Sequence, residues 1–192
     1  VGTFHSLSLR ILRIYYEEVG LKKNFLIIDT DDQLKLIKNI CEAEKIDTKE
    51  VSAKYYLNTI DSLKNKGISS EELKENKYRK NDIELRKVYS IYQSELIRMN
   101  CVDFGDLILH CLKIFRKNKS VLEKYQNFFK YIHVDEYQDI NPIQQTWIKY
   151  IYQGNKNICC VGDDDQSIYS WRGAEIKNFL GFDKVYPSCK IF

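Results

Sequence analysis

The hydrophobic pattern is clearest between Tyr131 and Ala174. Two short apolar runs, Tyr131-Ile132-His133-Val134 and Ile158-Cys159-Cys160-Val161, stop at Asp135-Glu136 and at Gly162-Asp163. A helix-length segment separates them. This is the pattern of a βαβ unit, in which buried parallel strands carry polar groups at their C-terminal ends, where open α/β sheets bind ligands. The intervening helix is predicted to use Asn141 as N-cap with Pro142 in its first turn. Its buried face is Ile143, Trp147, Ile148 and Ile151, and Gly154 is its stop. The two carboxylate-bearing strand ends should then lie side by side.

Upstream the pattern changes. Val1 to Ser6 reads as a strand end passing into a helix capped by Ser6, with Leu7, Ile11, Ile14 and Tyr15 inward. From about Phe25 to Asn100 strand signals fade and helical periodicity takes over. One helix is predicted from Thr30 or Asp31, with Leu34, Ile37, Ile40 and Cys41 on its apolar face. A second runs from Val51 to Lys66 and stops at Gly67. Ser69 and Glu72 have capping-box spacing for a short third. A long fourth covers Asp82 to Met99, with Leu85, Val88, Tyr92 and Leu96 aligned. Asp103-Phe104-Gly105-Asp106 then opens a helix built on Leu107, Ile108, Cys111, Leu112 and Phe115. Lys113, Arg116, Lys117, Lys119, Lys124 and Lys130 accumulate as a basic connector before the acidic-ended strand. His133 within that strand is expected to be packed and hydrogen-bonded.

Composition adds little. The 192 residues are 44% hydrophobic and 30% charged, with a net charge of +3, the balance of an ordinary globular chain. That charge is too small to argue for nucleic acid by itself. Lys54, Lys64, Lys66, Lys77, Arg79 and Lys80 read individually as a solvated helical surface, and as a group as a weak, sequence-independent contribution to phosphate binding. None of the six cysteines has CxxC spacing, which argues against zinc and for a reducing cytosol. Cys159 and Cys160 are expected to be buried as small hydrophobes. No signal peptide or membrane-length apolar run is present.

Candidate chemistry lies at the strand ends. Neighbouring carboxylates there can divide their roles: one holds a hard cation such as Mg²⁺, the other orients or deprotonates a water. A lone Asp-Glu pair is more often a turn. Gln166, beyond the second strand, could sense a phosphate oxygen. Tyr169, Trp171 and Arg172 combine aromatics with a cation, which suits single-stranded nucleic acid, although in isolation such aromatics are usually core.

The strings VDEYQD and VGDDDQSIYSWRGA resemble motifs II and III of the UvrD/Rep/PcrA helicases of superfamily I. Thr3-Phe4-His5-Ser6 resembles the DNA-contacting motif Ib. Asp103-Phe104-Gly105-Asp106-Leu107 resembles the family's DFDDL stretch, with Gly105 where the family usually has Asp. Asp32-Gln33-Leu34 and Lys66-Gly67-Ile68-Ser69 match its helical insertion. The resemblance covers essentially the whole chain.

It implies an α/β fold: part of a RecA-like P-loop NTPase parallel sheet with an inserted all-α subdomain. Residues 1–24 and 101–192 would belong to the motor domain and 25–100 to the insertion. It also implies ATP and Mg²⁺ as cofactors. Asp135 would be the metal ligand, Glu136 the catalytic base and Gln166 a γ-phosphate sensor. Thr3, His5, Tyr169, Trp171 and Arg172 would contact DNA, with Arg172 either on phosphate or paired with the motif II carboxylates. No G-x-x-x-x-G-K-[ST] loop occurs in the chain. The expectation is therefore a fragment of a cytoplasmic ATP-dependent 3′–5′ helicase acting on single-stranded DNA and junctions in repair or replication, inactive by itself. The motor subunit of a helicase–nuclease and a noncatalytic DNA-binding module are the alternatives.

Overall fold

The computed structural model describes residues 1–49, 51–73, 80–163, 181–187 and 189–190, without the side chains of 80–82. It is mostly helical, with two small parallel sheets. Two compact units divide between Lys117 and Asn118.

The first unit opens with α1 (Phe4–Tyr15). Its N-cap is Thr3, whose Oγ1 accepts from the Ser6 N–H at 3.2 Å, three positions before the cap read from the sequence. The buried face is Ser8, Ile11 and Leu12, while Ile14 is exposed. The face is thus rotated from the Leu7/Ile14 line, because α1 packs along α6 (Phe104–Lys117). Arg13 reaches back to the Phe25 carbonyl at 2.8 Å and lies over the Phe25 ring.

Between them comes a helical stretch framed by two strands that the sequence pattern did not disclose. β1 (Leu26–Ile27) pairs in parallel with β2 (Cys101–Val102), with Leu26 opposite Cys101. Two-residue strands are too short for alternation to register. The helices α2 (Thr30–Ala43), α3 (Ala53–Asn65), α4 (Ser70–Leu73) and α5 (Lys80–Arg98) follow the periodicity closely. Asp29 and Ser52 cap α2 and α3, and Gly67, at φ 78°, follows α3 in the left-handed conformation that glycine tolerates. The Ser69 Oγ accepts from the Glu72 N–H, and Glu72 Oε2 accepts from the Ser69 N–H, the reciprocal pair expected of a capping box. Ile37, Ile40, Cys41, Tyr56, Ile60, Val88, Tyr89, Tyr92 and Leu96 form one core, with Leu34 packed at its edge.

Beside that core lies an ionic cluster. Lys64 is 1% exposed, and its Nζ donates to Asp103 Oδ2 and Asp106 Oδ1, both at 2.6 Å. It is therefore unavailable to a phosphate, unlike Lys54 and Lys66, which are exposed. Lys77 and Arg79, and the Lys80 side chain, lie outside the described residues. Tyr92 Oη donates to Asp103 at 2.9 Å and Gln93 Nε2 to Asp106 at 3.2 Å. The Asp106 N–H donates in turn to Asp103 Oδ1, so the pair also caps α6. Burial opposes charge on Lys64 and Asp106, but Asp103 and Asp106 together outweigh it for the lysine, and Lys64, aided by His110, outweighs it for Asp106: the ammonium is held above its ordinary pKa and the Asp106 carboxyl below. A Cβ on Gly105 would sit 2.9 Å from the Lys64 Cβ and Cδ, so the lysine stem needs a bare backbone there. Further along α6, Lys113 and Arg116 pair with Glu71 and Glu72 rather than forming an open basic tract.

The second unit starts with α7 (Lys119–Phe128), capped by Asn118. It occupies most of the predicted basic connector; the lysines ride on its exposed side while Val121 is buried. β3 (Ile132–Val134), α8 (Pro142–Asn155) and β4 (Ile158–Cys160) form the expected βαβ unit, with β3 and β4 parallel. Asn141 caps α8, and Gln144 completes a capping box around Pro142. Ile143, Trp147, Ile148 and Ile151 are buried as predicted. A four-residue helix, α9 (Phe182–Val185), and Tyr186 add aromatic packing against Tyr137 and Tyr152.

Three expectations fail here. His133 and Cys159 are exposed and Cys160 is half-buried. Gly154 does not end α8, which continues to Asn155 with Lys156 as its left-handed cap. Gly154 instead lets α7 approach: an added Cβ would lie 2.5 Å from Gln126 Cβ and 3.1 Å from its Cα. Gly154→Ala should therefore destabilise this unit by about 1–3 kcal/mol, the scale of an overpacked contact. An unchanged urea midpoint would contradict the packing role.

Candidate functional site

The polar ends of β3 and β4 meet as their parallel register requires. Ile132, His133 and Val134 stand opposite Ile158, Cys159 and Cys160. The ladder then continues past both strands: the Val161 N–H donates to the Val134 carbonyl at 2.9 Å and the Tyr137 N–H to the Val161 carbonyl at 3.0 Å. Asp135, Glu136 and Asp163 are thereby brought to one edge, all three exposed.

Glu136 is held in an unusual way. Its backbone is left-handed, at φ 51° and ψ 47°, a region that costs a non-glycine residue on the order of 1 kcal/mol or more and is found where geometry serves function. Its N–H donates to Asp135 Oδ1 at 3.1 Å, and its carbonyl accepts from Asp139 at 2.9 Å across a single 3-10 turn, Tyr137–Asp139. Tyr137 anchors that turn from below, fully buried with its ring edge-on to Phe182 at 5.3 Å. Burial raises its hydroxyl pKa. Gln138 beside it is 1% exposed; its Nε2 donates to Glu136 Oε2 at 2.6 Å and its Oε1 accepts from the Asp163 N–H at 3.1 Å. Sequence reasoning passed over Gln138. Its one signal was its place in the string Asp135-Glu136-Tyr137-Gln138-Asp139, which does not say that it turns inward.

The donors at this edge are carboxylate oxygens, the chemistry that suits a hard divalent cation retaining several waters. Among the described residues no three His, Cys, Asp or Glu side chains cluster closely enough to hold a metal by themselves. Gln166, Tyr169, Trp171 and Arg172 lie outside the described residues.

Thr3 and His5 lie at the start of α1 in the first unit. Thr3 is exposed and serves as the cap. His5 is half-buried with its ring 6.0 Å from the Phe104 ring in an edge-on arrangement, and burial lowers its pKa. At neutral pH it offers a neutral imidazole N–H rather than a cation. No helix among the described residues is long and apolar enough to cross a membrane.

Helices with short parallel strands in each unit make this an α/β chain, and comparison with known proteins gives its family. The profile of the UvrD/REP helicase N-terminal domain matches residues 1–187, and the chain belongs to that family. It is 42% identical over 190 residues to the ATP-dependent DNA helicase PcrA of Staphylococcus epidermidis, covering 99% of the chain. It is 43% identical over 187 residues to the protein of that name from Staphylococcus aureus. The chain spans about a quarter (26%) of the length of these relatives.

Proposed function

We propose that the chain is part of the first motor domain of an ATP-dependent DNA helicase that moves 3′ to 5′ along single-stranded DNA and opens duplex. The observation that carries this reading is the pairing of β3 with β4. It sets Asp135 and Glu136 beside the start of the Gly162–Ala174 string at one sheet edge. Membership of the helicase family and the PcrA name of its relatives support it.

In this reading Asp135 holds Mg²⁺ through a carboxylate oxygen. Bound there, the ion would supply neutralisation of phosphate charge. Glu136 orients the attacking water and accepts its proton. Gln166 contacts the γ-phosphate, and Tyr169, Trp171 and Arg172, a few residues on, contact DNA, so that one short stretch of sequence links nucleotide state to base contacts. Thr3 and the neutral His5 donate hydrogen bonds to backbone phosphates. Residues 25–100 form a helical subdomain inserted into a RecA-like domain comprising 1–24 and 101–192. The working site is cytoplasmic, and single-strand/duplex junctions are the natural substrate.

The direct test is strand displacement by the full-length protein on duplexes carrying a 3′ or a 5′ single-stranded tail. ATP-dependent unwinding of the 3′-tailed substrate alone is the expected result, and preference for the 5′ tail would overturn the polarity. The DNA track has its own test. Trp171→Ala in this chain should weaken binding to labelled single-stranded DNA by about 1–3 kcal/mol in fluorescence anisotropy, the value of one stacked base. Loss of folding instead would make Trp171 a core residue.

A further inference from the structure

We propose that Gln138 is a positioning residue: it holds the Glu136 carboxylate in its working orientation and ties that orientation to the backbone at the end of β4. The inference rests on Glu136 being the base that activates water.

The geometry makes this assignment. Glu136 is exposed, so its side chain has no packing to choose a rotamer for it. The partner that fixes it is the Gln138 amide, 1% exposed, donating at 2.6 Å. That amide cannot flip. Its NH₂ faces a carboxylate and its carbonyl faces the Asp163 N–H at 3.1 Å, so turning it would set oxygen against oxygen and N–H against N–H. Gln138 is itself buried, so losing either partner leaves one end of its amide desolvated and unpaired. The backbone around it is equally constrained, because Tyr137 and Val161 exchange strand-like bonds with the opposite strand end. A displacement of the Asp163 backbone therefore reaches the Glu136 carboxylate through a single rigid side chain. Gln138 touches neither phosphate nor water in this scheme; it acts through Glu136.

The test uses the full-length protein and steady-state ATP hydrolysis with saturating single-stranded DNA. Gln138→Met removes both hydrogen bonds at constant volume. Gln138→Glu keeps the acceptor for the Asp163 N–H and replaces only the donor to Glu136. Both should lower kcat by about 10–100-fold, the usual cost of losing a supporting contact behind a working group, with KM for ATP changed by less than about 2-fold. Thermal melting of Gln138→Glu should fall below the wild type, because the new carboxylate is buried against that of Glu136, while circular dichroism should show the fold retained. Combining Gln138→Met with Glu136→Gln should give turnover no slower than Glu136→Gln alone, since the residue that Gln138 positions is already gone. Wild-type kcat in both Gln138 variants, or losses that multiply in the double variant, would overturn the proposal. Where Gln138→Met does not fold, Gln138→Glu decides. Should Glu136→Gln itself keep wild-type turnover, the assignment of the base fails and the positioning role fails with it, an outcome distinct from silence of the Gln138 variants alone.

Discussion

Glu136→Gln in the full-length protein is expected to lower DNA-stimulated ATP turnover by about 10²–10⁴-fold while leaving ATP binding within a few fold, the range for loss of a positioned general base. The substitution is nearly isosteric, and glutamine suffers no more than glutamate in the left-handed backbone that residue 136 adopts. Its amide oxygen can still accept from Gln138 Nε2, so the frame of the loop should survive. What disappears is the capacity to take a proton from water. Asp135 is untouched, so Mg²⁺ and nucleotide should still bind, and a fluorescent ATP analogue should titrate as it does with wild type. Single-turnover hydrolysis separates these outcomes. Unchanged turnover would refute the role of Glu136, and lost nucleotide binding would place Glu136 in the binding shell.

The second large effect is structural. Lys64→Met should destabilise the first unit by about 3–5 kcal/mol, the usual cost of breaking a buried ion pair on one side. Methionine replaces the packed aliphatic stem but leaves the Asp103 and Asp106 carboxylates, both nearly inaccessible, facing each other without a cation. The chemical-denaturation midpoint at neutral pH measures it directly, and a midpoint within error of wild type would remove the cluster from the list of what holds this unit together.

The cluster also has a pH signature. Because the Asp106 carboxyl titrates lower in the folded state than unfolded, its contribution is complete above the unfolded value of about 4 and is lost as pH falls through the folded one. Because Lys64 titrates higher when folded, its contribution is complete below about 10.4 and is lost as pH rises further. The gap between wild type and Lys64→Met should thus be flat near neutrality and shrink on acidification, as protons neutralise the stranded carboxylates.

How far the sequence could be read follows from the range of each interaction. The helices α2, α5 and α8 bury most of the residues that their spacing singles out, because an apolar stripe and a cap are local signals. β1 and β2 stayed hidden because two residues carry no period. α7 was lost in its own lysines, since only Val121 is fully buried along it. Lys64 looked like any surface lysine. Its partners lie 39 and 42 positions away, and nothing near it in sequence announces them. At the candidate site, Asp135 and Glu136 could be placed at a strand end from pattern alone, whereas the inward turn of Gln138 depends on the register between two strands.

The close fit of Gly105 over the Lys64 stem has a consequence for how this sequence can drift. The helix can gain a side chain at 105 only if the lysine first leaves its track, and the lysine can leave only if two buried carboxylates find another cation. Residues 64 and 105 are therefore coupled through packing, and Gly105→Ala should cost less stability in Lys64→Met than in the wild type. Gly105→Asp alone adds a third carboxylate and a clash at one point of the same cluster, so neither the stem nor the charges of the site can absorb it without rearrangement.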